Sequence, residues 1–155
     1  MKKCRICNHK IKRIIHLGKI ALVGNFFKKK NNQKKYNISL NYCLNCKHVQ
    51  IAERLSPDLL FKNYLWETGI STSNISLIRN LSVKLKQLGI SKKSKILEIA
   101  SNDGSFIQIL KKKFNSFVIG VDPAKNLVKK AKSKKIFTIN KYFNYKLSHS
   151  IKKKI

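Results

Sequence analysis

The fold of this chain is decided by the stretch LEIASNDGSFIQILKKKFNSFVIGVDPA, which covers residues 97–124. A short apolar run is followed by small polar residues, then by apolar residues at helical spacing, and then by a second short apolar run. This alternation is typical of parallel α/β units. We predict a buried strand at residues 95–100 and further strands at 117–121 and 136–139, and therefore assign the chain to the α/β class.

Three helices are predicted from apolar residues that recur at helical spacing, and the third has Pro123 in its first turn and bears Leu127, Val128 and Ala131. The first has Ser73 as its N-cap and Gly89 after its last turn. Its apolar positions are Leu77, Ile78, Leu81, Leu85 and Leu88. The second follows the strand at 95–100 and is expected to bury one face, formed by Phe106, Ile109, Leu110 and Phe114.

Acidic residues are scarce, and three of the six fall between residues 97 and 123. Glu98 lies at the end of the first strand, and the small residues Ala100, Asn102 and Gly104 follow at alternate positions. Such a turn lets backbone N–H groups approach a ligand at the carboxyl edge of a sheet. Asp122 ends the second strand, where a carboxylate can accept hydrogen bonds from ribose hydroxyls. An ordinary βαβ turn explains this pattern equally well.

The four cysteines occur as two Cys-x-x-Cys pairs: Cys4, Cys7, Cys43 and Cys46. Two such turns supply four thiolates at the corners of a tetrahedron, which is typical of a structural Zn²⁺ site with no position left for water. His9 and His48 lie close enough to replace a cysteine, and free thiols are the remaining alternative. We predict a zinc site formed by the four cysteines.

The formal net charge of +29 arises from 31 lysines and only four arginines. Clustered cations favour nucleic acid as a partner through counterion release. However, phosphate and base recognition usually uses arginine, and these lysines are spread along the whole chain among many Ile and Asn. Drift in the composition of an AT-rich coding sequence explains this better, so nucleic acid is a disfavoured partner that is not excluded.

The N-terminal residues contain no apolar run of signal-peptide length, and no stretch approaches the ~20 residues of a membrane span. We therefore expect a cytoplasmic protein with no membrane partner, in which paired cysteines are metal ligands rather than disulfides. Three regions are predicted. They are a zinc-binding domain at 1–55, a helical connecting segment at 56–92 and a partial Rossmann-like domain at 93–155.

Read together, these segments resemble the S-adenosylmethionine-dependent sugar C-methyltransferases, which carry an N-terminal zinc-binding domain and act on nucleotide-linked keto-sugars. The resemblance runs through the whole chain, and the turn at 101–104 with the strand end at 120–123 is its most specific part. The matching motifs are CRIC (4–7), LG (17–18) with NF (25–26), CLNCKHVQ (43–50), LFKNYLW (60–66) with Ser71, LEIASNDGS (97–105) and GVDPA (120–124).

The resemblance implies S-adenosyl-L-methionine as a cofactor beside Zn²⁺. By this resemblance, residues of one turn lie close to the methionine part of the cofactor: Ala100, Ser101, Asn102 and Gly104. Asp122 is expected to bind the ribose and Glu98 to position the loop. Tyr64 resembles a family residue near the substrate pocket, although an aromatic residue there is as often part of a core, and Ser71 is a weaker candidate. Ala100 departs from the family pattern, which usually has glycine there.

The family's reaction removes a proton beside a keto group, and the resulting enolate attacks the methyl group of the cofactor. This chemistry needs a base and a group that holds the enolate charge. In the family both come mostly from the chain beyond the third strand, where this sequence ends. We therefore expect a truncated chain that binds cofactor without full activity, with a second polypeptide as a candidate to complete the sheet. The alternative is a non-enzymatic zinc-ribbon module that binds nucleic acid.

Overall fold

The computed structural model describes residues 3–23 and 33–153. The chain divides into two compact units, Met1–Leu60 and Phe61–Ile155. The predicted division at residues 55 and 92 is a different one and stays a prediction. Asn25, Phe26 and residues 28–32 of the lysine-rich stretch lie outside the described residues. Among the described helices, none is long and apolar enough to cross a membrane.

The first unit is built on a three-stranded antiparallel sheet. Its strands are β1 (Ile11–Ala21), β2 (Lys35–Cys43) and β3 (Val49–Ile51), in the order β1-β2-β3. Ile11 pairs with Cys43 and Tyr42 with Val49, so the register brings the ends of the strands next to the cysteine pairs. β1 is interrupted by two register shifts, and Gly18 adopts a left-handed φ of 85° within the second of them. The short helix α1 (Pro57–Phe61) follows this sheet.

The second unit is an α/β layer structure. After a 3₁₀ turn (Thr68–Ile70) and helix α2 (Thr72–Gln87), its strands are β4 (Lys95–Ile99), β5 (Phe117–Val121) and β6 (Thr138–Ile139). They are parallel, in the order β4-β5-β6. Helices α3 (Ser105–Phe114), α4 (Lys125–Ser133) and α5 (Tyr145–Lys152) follow successive strands. The predicted α/β class with a partial Rossmann-like domain is confirmed.

Apolar side chains pack on both faces of this parallel sheet. On one face Ile107 of α3 and Ala131 of α4 pack with Val118 of β5. On the other face Ile151 of α5 packs with Ile119 and Val121. Successive residues of β5 point to opposite faces, which is why Val118 and Ile119 belong to different clusters. Both faces of the sheet are therefore covered by helices, as parallel sheets require.

Strand β4 differs from the prediction because it is only partly buried. Within the described residues it pairs with β5 alone and forms one edge of the sheet, so Ile99 keeps 52% of its surface exposed. The third strand is also shorter than predicted. Ile136 is buried, but its backbone N–H bonds to the carbonyl of Ala131 at the end of α4 rather than to β5. Helix capping therefore removes that residue from the strand.

Helix α2 confirms one predicted cap and corrects the other. Gly89 follows the helix with a φ of 89°, and its N–H bonds to the carbonyl of Lys86 in a left-handed terminal turn. The N-cap is Ser71 and not Ser73. Ser71 has an extended backbone, and its hydroxyl oxygen accepts a hydrogen bond from the N–H of Asn74 at 3.3 Å. Ser73 lies inside the helix, where a capping geometry is not available.

The buried faces of α2 and α3 agree only in part with the predicted ones. In α2 the buried side chains are Ile78 and Ser82, whereas Leu77 is 66% exposed. Ser82 is small, and its hydroxyl accepts a hydrogen bond from Lys113 of α3 at 2.8 Å, so it contacts that helix more closely than a leucine could. In α3, Leu110 and Phe114 of the predicted face are buried, but the fully buried side chain is Ile107, which that face did not include. Helical spacing identifies apolar residues that share one face of a helix. Which face becomes buried depends on the element that packs against the helix.

Candidate functional site

The four cysteines form one cluster in the first unit. Their sulfur atoms all lie within 4.8 Å of one another. Cys4 Sγ is 3.5 Å from Cys46 Sγ, and Cys7 Sγ is 3.4 Å from Cys43 Sγ. A tetrahedral zinc with Zn–S bonds of about 2.3 Å requires sulfur atoms roughly 3.8 Å apart. The arrangement fits one zinc ion bound by four thiolates, and neither His9 nor His48 belongs to the cluster.

Both cysteine pairs are held in the same turn conformation. The N–H of Asn8 bonds to the carbonyl of Cys4, and the N–H of Lys47 bonds to the carbonyl of Cys43. Asn8 and Lys47 have left-handed φ values of 62° and 61°. A histidine follows in each case and closes the turn. The carbonyl of His9 accepts a hydrogen bond from the N–H of Cys4, and the carbonyl of His48 accepts one from the N–H of Cys43. The histidines beside the pairs thus shape the turns through their backbones.

Backbone donors favour the thiolate form of Cys4 and Cys7. At Cys46 the N–H of His48 acts in the same direction, but burial and the three neighbouring thiols outweigh it and raise the pKa of Cys46 to about 12. The N–H of His9 is the main cause that lowers the pKa of Cys7 to about 5. The N–H of Cys7 likewise lowers the pKa of Cys4. Zinc binds thiolates rather than thiols, so these donors prepare the ligands for a metal.

Arg5 and Gln50 fasten the first cysteine turn to β3, and sequence reasoning did not identify either. The N–H of Arg5 donates to Gln50 Oε1 at 2.9 Å, and its guanidinium donates to the carbonyl of Ile51 at 2.7 Å. Gln50 Nε2 donates to the carbonyl of Lys3 at 3.2 Å. Gln50 is buried. A polar side chain that is buried next to a cysteine turn would have identified Gln50. That burial is visible only in the folded structure.

A cleft of about 280 Å³ lies at the carboxyl edge of the parallel sheet in the second unit. Its wall contains four residues that the sequence analysis named as site candidates: Tyr64, Ala100, Asn102 and Asp122. Phe61 and Trp66 also line it and were not predicted as site residues. The structure therefore brings the segment around Tyr64, the loop after β4 and the loop after β5 together around one cleft.

The other predicted cofactor residues do not line this cleft. Ser101 is buried, and Gly104 packs against Ala131 of α4, where an added Cβ would be 3.0 Å from the Ala131 side chain. Glu98 Oε2 is buried and has no hydrogen-bond partner among the described residues, and burial raises the pKa of Glu98 to about 8. These three residues support the loop from within the fold, and their roles toward a cofactor stay predictions.

The turn after β4 uses left-handed backbone conformations at the three alternate positions noted in the sequence. The φ values are 58° at Ala100, 52° at Asn102 and 73° at Gly104. Glycine adopts this conformation without strain and asparagine tolerates it, whereas alanine does so at a cost. This conformation explains why small or glycine-like residues occur at alternate positions of the turn.

Asp122 joins the two loops of the cleft. Its Oδ2 accepts from the N–H of Asn102 at 2.8 Å, and its Oδ1 accepts from the N–H of Ala124 at 2.7 Å. A carboxylate offers about four acceptor positions, so each oxygen can still accept another donor. Asn140 supports the same loop, because its amide donates to the carbonyls of Asp122 and Pro123. Asp122 is therefore 5% exposed but remains on the wall of the cleft.

Asp103, the third acidic residue of the stretch, has a structural role. It is 2% exposed, and its Oδ2 lies 2.7 Å from Lys134 Nζ. The same oxygen accepts from the hydroxyl of Ser105 at 2.8 Å. A buried carboxylate with these partners anchors the start of α3 to the end of α4.

Comparisons with known proteins agree with this organisation. The family model Methyltransf_13, described as a zinc binding domain, matches residues 4–61. The C-methyltransferase NovU of Streptomyces niveus is 24% identical over 154 residues. Most of the chain is therefore similar in sequence to a C-methyltransferase. The match covers 96% of this chain and 36% of NovU, so the chain spans about a third of the length of this relative. The matched domain and the cysteine cluster together support zinc.

Proposed function

We propose that this chain is the zinc-bearing, S-adenosylmethionine-binding part of a C-methyltransferase that acts on a nucleotide-linked keto-sugar. The observation that carries the proposal is the cleft at the carboxyl ends of β4 and β5, where Asp122 lies between two loops. Ligands of open parallel sheets bind at this edge. The resemblance to NovU supports the same class of reaction.

Three residues of the cleft are suited to hold the cofactor. The remaining acceptor positions of Asp122 are available to the two ribose hydroxyls. Ala100 and Asn102 present a compact backbone, which lets the methionine part approach the turn closely. When bound, S-adenosylmethionine supplies an electrophilic methyl group. The chain's own contribution is to bind and orient this group.

Tyr64 is proposed to contact the acceptor. Tyr64 is 39% exposed and lies on the wall of the same cleft, so its side chain is accessible to a second ligand. A nucleotide-linked keto-sugar is the proposed acceptor. We also propose a second polypeptide that completes the sheet beside β4. The cytoplasm is the proposed location of this chain, since reduced thiols are available to zinc there.

Titration calorimetry with S-adenosylhomocysteine tests the cofactor proposal. The zinc-loaded full chain is expected to bind this ligand, and Asp122→Ala to weaken binding at least tenfold because the ribose hydroxyls lose their acceptor. Asp58→Ala removes a negative charge on α1 and is the matched control. Circular dichroism of Asp122→Ala separates lost binding from lost folding, because Asp122 also joins two loops. If the folded wild-type chain gives no binding heat, the cofactor proposal is wrong.

A nucleic-acid-binding zinc module is the second candidate, and the net charge of +29 favours it. It predicts binding to DNA or RNA whose logarithmic affinity falls steeply with the logarithm of salt concentration. A gel-shift titration at low salt with no retarded species would remove this candidate.

A further inference from the structure

Residues 61–69, here called the strap, run from the last residue of α1 through an irregular stretch into the 3₁₀ turn, and they form part of the wall of the cleft in the second unit. Near its start, the carbonyl of Lys62 accepts from the N–H of Lys125 at 3.0 Å. Asn126 then holds Tyr64 by two bonds. Its Oδ1 accepts from the N–H of Tyr64 at 3.1 Å, and its Nδ2 donates to the carbonyl of Tyr64 at 2.8 Å. This end of the strap is therefore fixed to α4, directly after the loop that carries Asp122.

The other end of the strap is fixed to the loop after β4. Asn102 Nδ2 donates to the carbonyl of Trp66 at 3.1 Å, and Asn102 Oδ1 accepts from the N–H of Thr68 at 2.9 Å. Gly69 then approaches the start of α3 so closely that an added Cβ would lie 2.3 Å from Ser105 Oγ. Two asparagine side chains thus replace a neighbouring strand as hydrogen-bond partners of the strap backbone.

The strap holds its aromatic rings on a fixed backbone without burying them. Phe61 is 44% exposed, Tyr64 39% and Trp66 52%, and all three line the cleft. These exposed aromatic rings lie in the same cleft as the Asp122 carboxylate. The combination indicates a ligand that has both a planar apolar face and hydroxyl groups. A purine nucleoside has both, since bases stack on aromatic side chains and ribose hydroxyls donate to a carboxylate.

We propose that Phe61 is the stacking surface for the purine base of the nucleoside ligand, and that Asn126 is the residue that positions it. This inference rests on the proposed cofactor function and deepens it. Phe61 is chosen because the Lys62 carbonyl ties its end of the strap to the N-terminus of α4, next to Asp122. Trp66 is tied instead to the loop after β4, where the amino-acid part of the cofactor is expected.

The test compares two ligands by calorimetry on the zinc-loaded full chain. S-adenosylhomocysteine contains the nucleoside and the amino acid, whereas 5′-methylthioadenosine contains the nucleoside without the amino acid. Phe61→Leu is expected to weaken both ligands by a similar factor, on the order of tenfold, because the aromatic stack is lost. Leu65→Ala is the matched control. Leu65 is an apolar strap residue, 60% exposed, that is not among the cleft-lining residues, and its change is expected to alter affinity less than twofold.

The outcomes separate this inference from the proposed function. If the wild-type chain binds both ligands and Phe61→Leu binds them equally well, the stacking role is wrong while the cofactor site stands. Loss of affinity for S-adenosylhomocysteine alone would place Phe61 at the amino-acid end and also overturn the inference. If the folded wild-type chain binds neither ligand, both the proposed function and this inference are wrong.

The positioning role of Asn126 has its own readout. Trp66 is the single tryptophan of the chain, so its fluorescence reports on the strap. Asn126→Ala is expected to increase acrylamide quenching of Trp66 in the ligand-free protein, and saturating S-adenosylhomocysteine is expected to reverse most of the increase. Unchanged quenching together with unchanged affinity would show that Asn126 does not position the strap.

Discussion

Gly120 lies in the middle of β5, and its replacement by alanine is expected to destabilise the second unit. A Cβ at this position would lie 2.6 Å from Ser101 Oγ and 3.0 Å from Thr138 Oγ1. The backbone cannot yield easily, because Gly120 is paired with Glu98 on one side and Thr138 on the other. Overpacking of this kind costs about 1–3 kcal/mol. With a urea m-value of about 1 kcal/mol/M, a cost near 2 kcal/mol lowers the unfolding midpoint by about 2 M.

A second substitution isolates the contact that causes this loss. Ser101 Oγ is buried and has no hydrogen-bond partner in residues 3–23 and 33–153, so Ser101→Ala alone is expected to be neutral or slightly stabilising. In the Gly120→Ala background it removes the closest clash and should recover about 1 kcal/mol. Ser116→Ala is the matched control, because Ser116 Oγ is also buried without a partner but is not near the added Cβ.

Urea unfolding followed by Trp66 emission is the assay, because this single tryptophan lies in the second unit. A double-mutant cycle gives the coupling between positions 101 and 120. The reasoning is refuted if Gly120→Ala costs less than about 0.5 kcal/mol, a size usual for harmless surface changes. Equal recovery by the Ser101 and Ser116 changes would also refute it.

Four further predictions concern other positions. Ala100→Gly should raise the unfolding free energy by about 1 kcal/mol in the same urea assay, because the φ of 58° strains alanine and not glycine. Burial raises the pKa of Glu98 to about 8, so between pH 4.5 and 8 the folded chain keeps a proton that the unfolded chain has lost. The stability of the native chain should therefore fall as the pH rises through this window, and Glu98→Gln should gain relative stability by on the order of 1 kcal/mol per pH unit. A flat difference in urea midpoints across the window would contradict this. Ser71→Ala should cost about 1 kcal/mol through loss of the N-cap, whereas Ser73→Ala should stay within about 0.5 kcal/mol. The purified chain should contain about one zinc by elemental analysis, and Cys46→Ser should lose the metal together with the circular dichroism of the first sheet.

Several features of the fold and site follow from local sequence pattern. The spacing within CRIC and CLNC predicted the zinc ligands, because each turn brings two sulfur atoms to one side and two turns complete a tetrahedron. The strand at 117–121 was predicted with its observed bounds from a short apolar run. Gly89 marked the end of α2, since a left-handed residue commonly follows a helix. In each case the physical cause acts between residues that are near in sequence.

The buried faces of the helices could be predicted only in part. Leu127, Val128 and Ala131 of α4 are buried as expected. In α2, helical spacing identified Ile78 together with four leucines, but of these only Ile78 is buried, beside Ser82, which bonds to Lys113 of α3. The strand after residue 94 was expected to be buried, yet β4 is partly exposed because it forms one edge of the sheet within the described residues. Burial depends on which neighbour an element meets, and a local pattern does not contain that neighbour.

Residues 97–105 show which features the sequence determines and which depend on the tertiary structure. The sequence by itself determined that small residues alternate there and that an acidic residue ends the next strand. Only the tertiary structure decided that Asp122 joins both loops, and that Asn102 and Asn126 hold an aromatic strap at the wall of the cleft. Asn126 and Tyr64 are 62 residues apart, and hydrogen bonds between such distant residues exist only after the chain has brought them together.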